Sequence, residues 1–492
     1  VKQINFTQLI NQQPPKKAKY LKISTALRLA INQGLLAPGE QLPAARELAQ
    51  QLTSNRHTIM AAYNELIAEG WIYSLQRSGY FVADVLPIAS SKVIRADGSV
   101  SNSSFDWQFT KTLHPVTQEQ AANYRFNFAG GTPDTSLFPF AEFKSHLNEA
   151  LNQPDLVSLN YGDNAGFPPL IEQISIYLRK ARSLQDREIV ITNGSQEALY
   201  TLAQILLASG DSVAVEALGY RPAWNTFSNA GANLIAIAQD DGGIIPESFA
   251  QAVATQQKKG TSIKLLYLTP LHQYPTTVTL SVTRRQAIYR IAQQHKIAII
   301  EDDYDHEFHY RCQPLAPMAS DDPQGLVIYL STFSKVMFPG ARIGFMAVDA
   351  PLRDAIISYK TIINHKVNVI TQNAIARWMA SGNFERYLRK VTKIYQQRRD
   401  YMIDQLSQYQ QQNKLKSFTP PDGGMAVWVE LNHSAKQFAQ RAKLNDAFVQ
   451  FEHHFMLNSA HDTDRFIRLG FAGMAPDKLE KGLACLFDHK NN

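Results

Sequence analysis

Six short apolar runs constrain this chain more than any other feature: "EIVIT" (188–192), "SVAVE" (212–216), "KLLYL" (264–268), "IAIIE" (297–301), "LVIYL" (326–330) and "IGFMAV" (343–348). Each is too short for a helix of ordinary length and too continuously apolar for a strand with one wet face. Amphipathic helical stretches separate most of them. Strands buried on both faces and alternating with helices make an α/β domain around a largely parallel sheet. The pattern runs from about residue 125 to 490. Beyond about residue 351 it changes to long helices such as "NFERYLRKVTKIYQQRRDYMIDQL", then returns to strand-like "GMAVWVEL" and "FIRLGFA", a smaller C-terminal lobe.

Residues 1–83 are built differently. Leu21, Ile23, Ala26, Leu27, Leu29, Ala30 and Ile31 mark one helical face. "APGEQLP" breaks it, "AARELAQQL" is a short helix, "TSN" a turn, and "RHTIMAAYNELIAEG" a helix ended by Gly70. "WIYSLQRSGYFVAD" alternates and turns near Ser78-Gly79, a small hairpin. Together these predict a winged helix–turn–helix. The segment carries nine Lys or Arg and four Glu, a balance of +5 out of the chain's +6. That asymmetry suits either a polyanion partner or a solvated basic surface. Residues 84–124, with the Ser-rich "ASSKVIRADGSVSNSS", read as a linker.

In open α/β sheets ligands bind beyond the carboxyl ends of the strands, so the residues that follow each run carry the chemistry. After the first comes "NGSQEAL", where Gly194 and Ser195 open a helix able to hold a phosphate. Tyr220 follows the second, "TPLHQYPT" the third, the acid run "DDYDHE" the fourth, and "STFSK" the fifth. One lip therefore offers a helix N-terminus, an aromatic ring, carboxylates, hydroxyls and a lone lysine, Lys335, with a lone arginine, Arg342, just beyond. These parts suit pyridoxal phosphate, which needs a lysine for a Schiff base, an acid at its pyridine nitrogen, donors for its phosphate and a flat face for its ring. Which of Glu301, Asp302, Asp303 and Asp305 is that acid is open from the residue pattern alone.

The motifs "STFSKVMFPGARIG", "IIEDDYDHEF", "NYGDNAGFPPL" and "GTPDTSLFP" resemble the fold-type I aminotransferase family over residues 125–487. "QLPAARELA" and "NRHTIMAAYNEL" resemble the GntR winged-helix family over residues 20–83. The combination resembles the MocR subgroup of bacterial transcription regulators. The resemblance implies a large lobe of about 155–350 and a small lobe made of the domain's N-terminal segment plus about 351–490. It also implies roles. Lys335 is the Schiff-base lysine, Asp302 pairs with the pyridine nitrogen, Tyr304 bonds the ring O3′ and Tyr220 stacks on the ring. Thr332, Ser334 and Arg342 hold the phosphate with the Ser195 and Gln196 backbone, and Tyr161 reaches it across a dimer interface. Arg468 grips an amino-acid carboxylate in a pocket lined by Gly131. The asparagine and glycine of the family's "N-P-T-G" loop are replaced by Tyr274 and Thr277, which weighs against turnover, with His272 or Gln273 as substitutes.

In the helix–turn–helix, Arg56, His57 and Thr58 open the groove-facing helix and Arg46 on the preceding helix suits a phosphate. Arg77 stands at the wing tip where the GntR pattern has glycine. The expected function is a DNA-binding regulator that senses an amine-bearing small molecule, with GABA-like acids, taurine or D-alanine as family precedents, or pyridoxal phosphate itself. The alternative is a working aminotransferase with an appended DNA-binding module. A head-to-tail homodimer is implied. Two cysteines without a C-x-x-C pair, no signal-peptide pattern and no run of about 18 apolar residues lead to an expectation of a cytoplasmic protein that crosses no membrane; no metal site is expected.

Overall fold

The computed structural model describes residues 10, 18–87, 124–160, 162–311, 314–457 and 464–488. They fall in two compact units, residues 1–115 and 116–492. Among the described residues no helix is long and apolar enough to cross a membrane.

In the first unit, α1 (Lys19–Asn32) packs on α3 (Arg56–Ala68), with the short α2 (Ala45–Gln51) between them in the chain. Asn55 caps α3, its side chain accepting from the His57 amide at 2.9 Å. Strands β1 (Ile72–Leu75) and β2 (Gly79–Val82) form the antiparallel wing, and Gln41 bridges to Phe81 on its other edge. Ile23, Leu27, Leu48, Ile59, Leu66 and Trp71 share a single core, where the Tyr63 hydroxyl donates to the Pro43 carbonyl at 2.7 Å. The wing turn centres on residues 76–78, one position earlier than the sequence suggests. Arg77 is held at φ 64°, a left-handed conformation that costs a side chain about 1–2 kcal/mol.

The second unit is organised on a seven-stranded sheet. Its strands are β3 (Glu188–Thr192), β4 (Ser212–Glu216), β5 (Asn233–Ile237), β6 (Ile263–Leu268), β7 (Ala298–Asp302), β8 (Val327–Thr332) and β9 (Gly344–Val348), in the order β3-β9-β8-β7-β6-β4-β5. All six runs read from the sequence are in it. The seventh strand, β5, is an edge strand whose residues are mostly half-buried, a weaker apolar signal. β4 to β8 are parallel, whereas β9 runs antiparallel to both β8 and β3. Residues 333–343 explain the reversal: a parallel return needs a crossover of a dozen or more residues. Alternate residues enter two cores. Val190, Val213, Leu265, Ile300 and Leu330 face one, while Ile191, Ala214, Leu266, Ile299 and Tyr329 face the other.

The small lobe holds a second, antiparallel sheet around β10 (Ala426–Glu430) and β11 (Phe466–Gly470). Phe126–Asn127 pairs in parallel with Ala447–Phe448, so the start of the unit is fastened to its C-terminal part. The long helix of the last third spans Asn383–Gln411.

Candidate functional site

Gly194 is where the chain leaves β3 and turns into the helix Ser195–Leu206, at φ 80°. A Cβ there would stand 2.7 Å from the Arg342 guanidinium, so only glycine lets the arginine lie across this turn. Arg342 Nη2 donates to the Asn193 carbonyl at 2.7 Å. The first-turn amides of Ser195 and Gln196 have no acceptor within their own helix. Across from them, the Thr332 hydroxyl and the Ser334 Oγ are 2.9 Å apart, and the Ser334 amide donates to Thr332 Oγ1. Hydroxyls, helix amides and a guanidinium thus come from β3, β8 and the β8–β9 loop, a set suited to a phosphate.

Lys335 follows in the same loop. Its Nζ donates to the Gly131 carbonyl at 2.8 Å and lies 5.9 Å from the Tyr304 ring centroid. Burial lowers its pKa, an effect opposed chiefly by the Asp305 carboxylate, reinforced by Arg468 and opposed again by Asp302. Gly131 is at φ 77°, and a Cβ on it would press to 3.3 Å from Lys335 Nζ.

The acids of the 301–305 run part company. Glu301 accepts the Met318 and Ala319 amides, one on each oxygen. Asp303 is consumed by Arg182 at 2.7 Å and the Tyr329 hydroxyl at 2.8 Å. Asp302 Oδ2 accepts the Tyr267 hydroxyl at 2.8 Å, but its buried Oδ1 has no partner among the described residues. Burial pushes its pKa up to about 7. Asp305 is tied by Oδ1 to His272 Nδ1 at 2.8 Å. Tyr267 and Arg182, which make this distinction, were missed from sequence; Tyr267 sits inside a strand run and reads there as core.

Tyr220 starts the helix Arg221–Asn229 and meets the Tyr274 ring edge-on at 5.6 Å. The Tyr304 hydroxyl donates to the His272 carbonyl at 3.1 Å. Tyr274 also packs on Phe455 and under the Arg468 guanidinium, 4.5 Å from its ring centroid. Thr277 occupies a left-handed conformation at φ 65°, in the place where the family loop carries glycine. The two proposed substitutes are engaged elsewhere. Gln273 is bonded to the Leu218 and Tyr274 carbonyls and to Thr276, while His272 is bonded to Asp305 and His309.

Arg468, on β11, is fully buried, with Nε donating to the Pro275 carbonyl at 3.2 Å. Nη1 and Nη2 have no partner among the described residues. Gly130 lies flush against it: a Cβ there would be 1.7 Å from Nη1. Gly131, named from the sequence, borders it as well, a Cβ there standing 3.9 Å from Nη1; Gly130 was not named. Tyr161 lies outside the described residues.

In the first unit, Lys19, Arg46, Gln50, Arg56 and Thr58 border one open depression of about 730 Å³. Arg46, Arg56, His57 and the wing-tip Arg77 are all exposed. Arg46 and Arg56 therefore line a single exposed surface.

Comparison with known proteins agrees with both units. Residues 125–486 match the model for "Aminotransferase class I and II", and residues 19–82 that for "Bacterial regulatory proteins, gntR family". The HTH-type transcriptional regulator TauR of Rhodobacter capsulatus is 27% identical over 480 residues, covering 93% of this chain and 94% of its own. The probable rhizopine catabolism regulatory protein MocR of Rhizobium meliloti is 29% identical over 381 residues, 77% of this chain and 75% of its own. Among solved structures, kynurenine aminotransferase of Pyrococcus horikoshii superposes with a TM-score of 0.68 at 30% identity, covering 74% of this chain and 90% of that one. The chain therefore belongs to the class I and II aminotransferase family over most of its length and, with its gntR-family segment, is a regulator of the GntR/MocR kind built on an aminotransferase-like domain.

Proposed function

We propose that this regulator binds DNA through residues 20–83 and uses pyridoxal phosphate, held in its aminotransferase-like unit, to sense a small molecule carrying an amine and an acid group. Unspent buried polar capacity carries the reading: among the described residues, Asp302 Oδ1 and both terminal nitrogens of Arg468 lack partners in the same unit that presents Lys335. Burying such groups unpaired costs free energy, so a ligand that bonded them would recover it. The residues fit the cofactor. Asp302 would face the pyridine nitrogen, Tyr220 the ring and Tyr304 its O3′. The Gly194 turn with Ser195, Gln196, Thr332, Ser334 and Arg342 would take the phosphate, and Tyr161 of a second subunit is assigned to the same group. Bound there, the cofactor supplies an aldehyde carbon that captures primary amines. The solved kynurenine aminotransferase is described in complex with PMP, which supports the choice.

Arg468 orients the effector by its acid group. Lys335 would hold the cofactor covalently, at the position for which an effector's amine would compete. Sensing needs only that the liganded form favour one conformation over another. Release of a keto product is not required, and the Tyr274 and Thr277 replacements argue against it. Reduction of the holoprotein with borohydride should fix the cofactor covalently on Lys335, and Lys335→Ala should yield no such adduct by mass spectrometry. An adduct of undiminished yield in that variant sinks the assignment. Sustained keto-acid production with excess amino donor and acceptor would instead favour the aminotransferase reading.

Arg56 is assigned to a base edge and Arg46 to a phosphate, with His57, Thr58 and Arg77 along the same surface. Arg56→Ala should weaken specific promoter binding by about tenfold or more, since a bidentate base contact is worth about 1–3 kcal/mol. Its visible spectrum should remain that of the wild type. Normal promoter affinity for this variant in a gel-shift salt series would remove Arg56 from the interface.

A head-to-tail homodimer completes the proposal. Leu156, Val157 and Ile362 are each more than 70% exposed, and a narrow groove lined by Leu151, Leu159, Val369 and Ile370 lies in the same unit. Apolar surface of this kind is more typical of an interface than of a monomer's exterior.

A further inference from the structure

The turn assigned to the phosphate is tied to a buried ion pair that neither the cofactor nor the effector assignments use. Lys360 is fully buried on the helix Ala350–Ile363, and its Nζ donates to Glu197 Oε1 at 2.7 Å. Glu197 stands in the first turn of the helix Ser195–Leu206, and its other oxygen, Oε2, accepts the Asn193 amide at 2.7 Å. Asn193 is gripped at its other end too, where its carbonyl accepts from Arg342 Nη2. The Thr192 hydroxyl donates to the Gly194 carbonyl at 3.1 Å, and a Cβ on Gly344 would stand 2.9 Å from the Gly194 carbonyl carbon. The helix that carries Lys360 has anchors of its own. Thr361 Oγ1 accepts from Asn164 Nδ2 at 2.8 Å, and Arg353 pairs with Asp163 and Glu188.

We infer that Lys360 and Glu197 are positioning residues for phosphate recognition: Glu197 fixes the Asn193 peptide on which Arg342 rests, and Lys360 cancels the charge that Glu197 would otherwise set against the anion. This rests on the proposed assignment of the cofactor's phosphate to this turn. An acid in a first helical turn is favourable by itself, because it meets the positive end of the helix dipole. At an anion site it competes with the ligand for that same end, and like charges repel strongly where water is excluded. A neutral side chain would avoid the conflict but would hold the Asn193 amide by a weaker, uncharged bond. The pair does both, giving a charge-assisted bond to the amide and no net charge beside the phosphate. Stability alone does not call for such a pair, since apolar residues often replace a buried one without loss.

Full-length protein freed of cofactor is titrated with pyridoxal phosphate and with pyridoxal, which lacks the phosphate. The ratio of the two dissociation constants is read for each variant beside a thermal melt. Lys360→Met leaves the Glu197 charge uncancelled and should lower the preference for pyridoxal phosphate by about tenfold or more, a modest fraction of the interaction between close charges in a protein. Adding Glu197→Gln to Lys360→Met removes that charge and keeps an acceptor for the Asn193 amide, so most of the preference should return. Lys360→Met with Glu197→Leu removes charge and acceptor together and should stay about tenfold below wild type, while its apolar pair keeps the fold. These two double variants decide the matter if Lys360→Met alone does not fold. Both compounds weakened alike, with the ratio unchanged across the variants, would assign the pair to stability and overturn the inference. A wild-type ratio in Lys360→Met and in Lys360→Met/Glu197→Leu would overturn it as well. A wild-type protein with no preference for the phosphorylated compound would sink the assignment of the phosphate to this turn, and the inference with it.

Discussion

Arg468→Leu is expected to weaken the response to a carboxylate effector by at least about thirtyfold while leaving the fold as stable as before, or more so. The two effects have a common cause. Arg468 is fully buried, and among the described residues its two terminal nitrogens have no partner, so its charge is met there only by the Pro275 carbonyl and the Tyr274 ring. Replacing an imperfectly paired buried charge by an apolar side chain of similar reach is often neutral or stabilising. A carboxylate in the pocket would be the missing partner, and deleting one member of a buried, hydrogen-bonded charge pair costs about 2–5 kcal/mol. Half-saturation by the effector should then rise by roughly thirtyfold to several thousandfold. Spectral titration and a thermal melt on the same preparation measure both. A variant that melts well below wild type, or one that responds normally, would show that Arg468 is a structural ion and not a ligand group.

Two adjacent aspartates should behave in opposite ways. Asp303→Ala strands Arg182 without its carboxylate in the core, and breaking such a pair costs about 3–5 kcal/mol of stability. Asp302→Asn removes no ion pair. It should weaken cofactor binding by about thirtyfold or more, because the pyridinium loses its counter-charge in a buried site. It should also flatten part of the pH dependence of the cofactor-free protein. Burial raises Asp302 from 3.8 to about 7, so the folded state binds a proton that the unfolded chain has released. Stability from this group is fully present below the unfolded value and declines as pH climbs from about 4 to about 7, by an amount on the order of 4 kcal/mol. Glu301 and Glu216, each pushed up to about 7 by burial, contribute the same sign and remain in the variant. Melts of wild type and Asp302→Asn across that window should converge at low pH and separate above it, with the variant the more stable at neutral pH. The reverse separation would mean that Asp302 is ionised and paired in the folded protein.

The sheet was legible because strands buried on both faces write themselves as unbroken apolar runs, and "EIVIT" through "IGFMAV" are such runs. β5 escaped notice because most of its residues are only half-buried, unlike those of the other edge strand, β3. The sequence points to a mixed, mostly parallel sheet without saying which strand is reversed; the short 333–343 connection marks it as β9. The positions of Lys335, Arg342, Ser195 and Tyr220 followed from one rule, that chemistry gathers after strand ends. The choice among the acids did not follow from any local rule. It depends on Arg182, Tyr329 and Tyr267, which lie 121, 26 and 35 residues from the acids they bind. Likewise, a lone arginine in "FIRLGFA" says nothing about whether its nitrogens are spent. That depends on Gly130, Pro275 and Tyr274 arriving from other parts of the chain.

The pairing of Phe126–Asn127 with Ala447–Phe448 has a consequence in time as well as in space. The residues assigned to the cofactor between Ser195 and Arg342 are all synthesised before the small-lobe sheet exists. The carbonyl that accepts from Lys335 belongs to Gly131, four residues beyond a strand whose partner is made more than 300 residues later. Loop closure over that distance waits for the C-terminal lobe. A chain terminated before residue 447 would therefore be missing Arg468 and would also leave the Gly130–Gly131 turn without its anchor, loosening the lysine at the far side of the pocket. On the proposed reading, the effector pocket is therefore assembled only after the C-terminal lobe has been made.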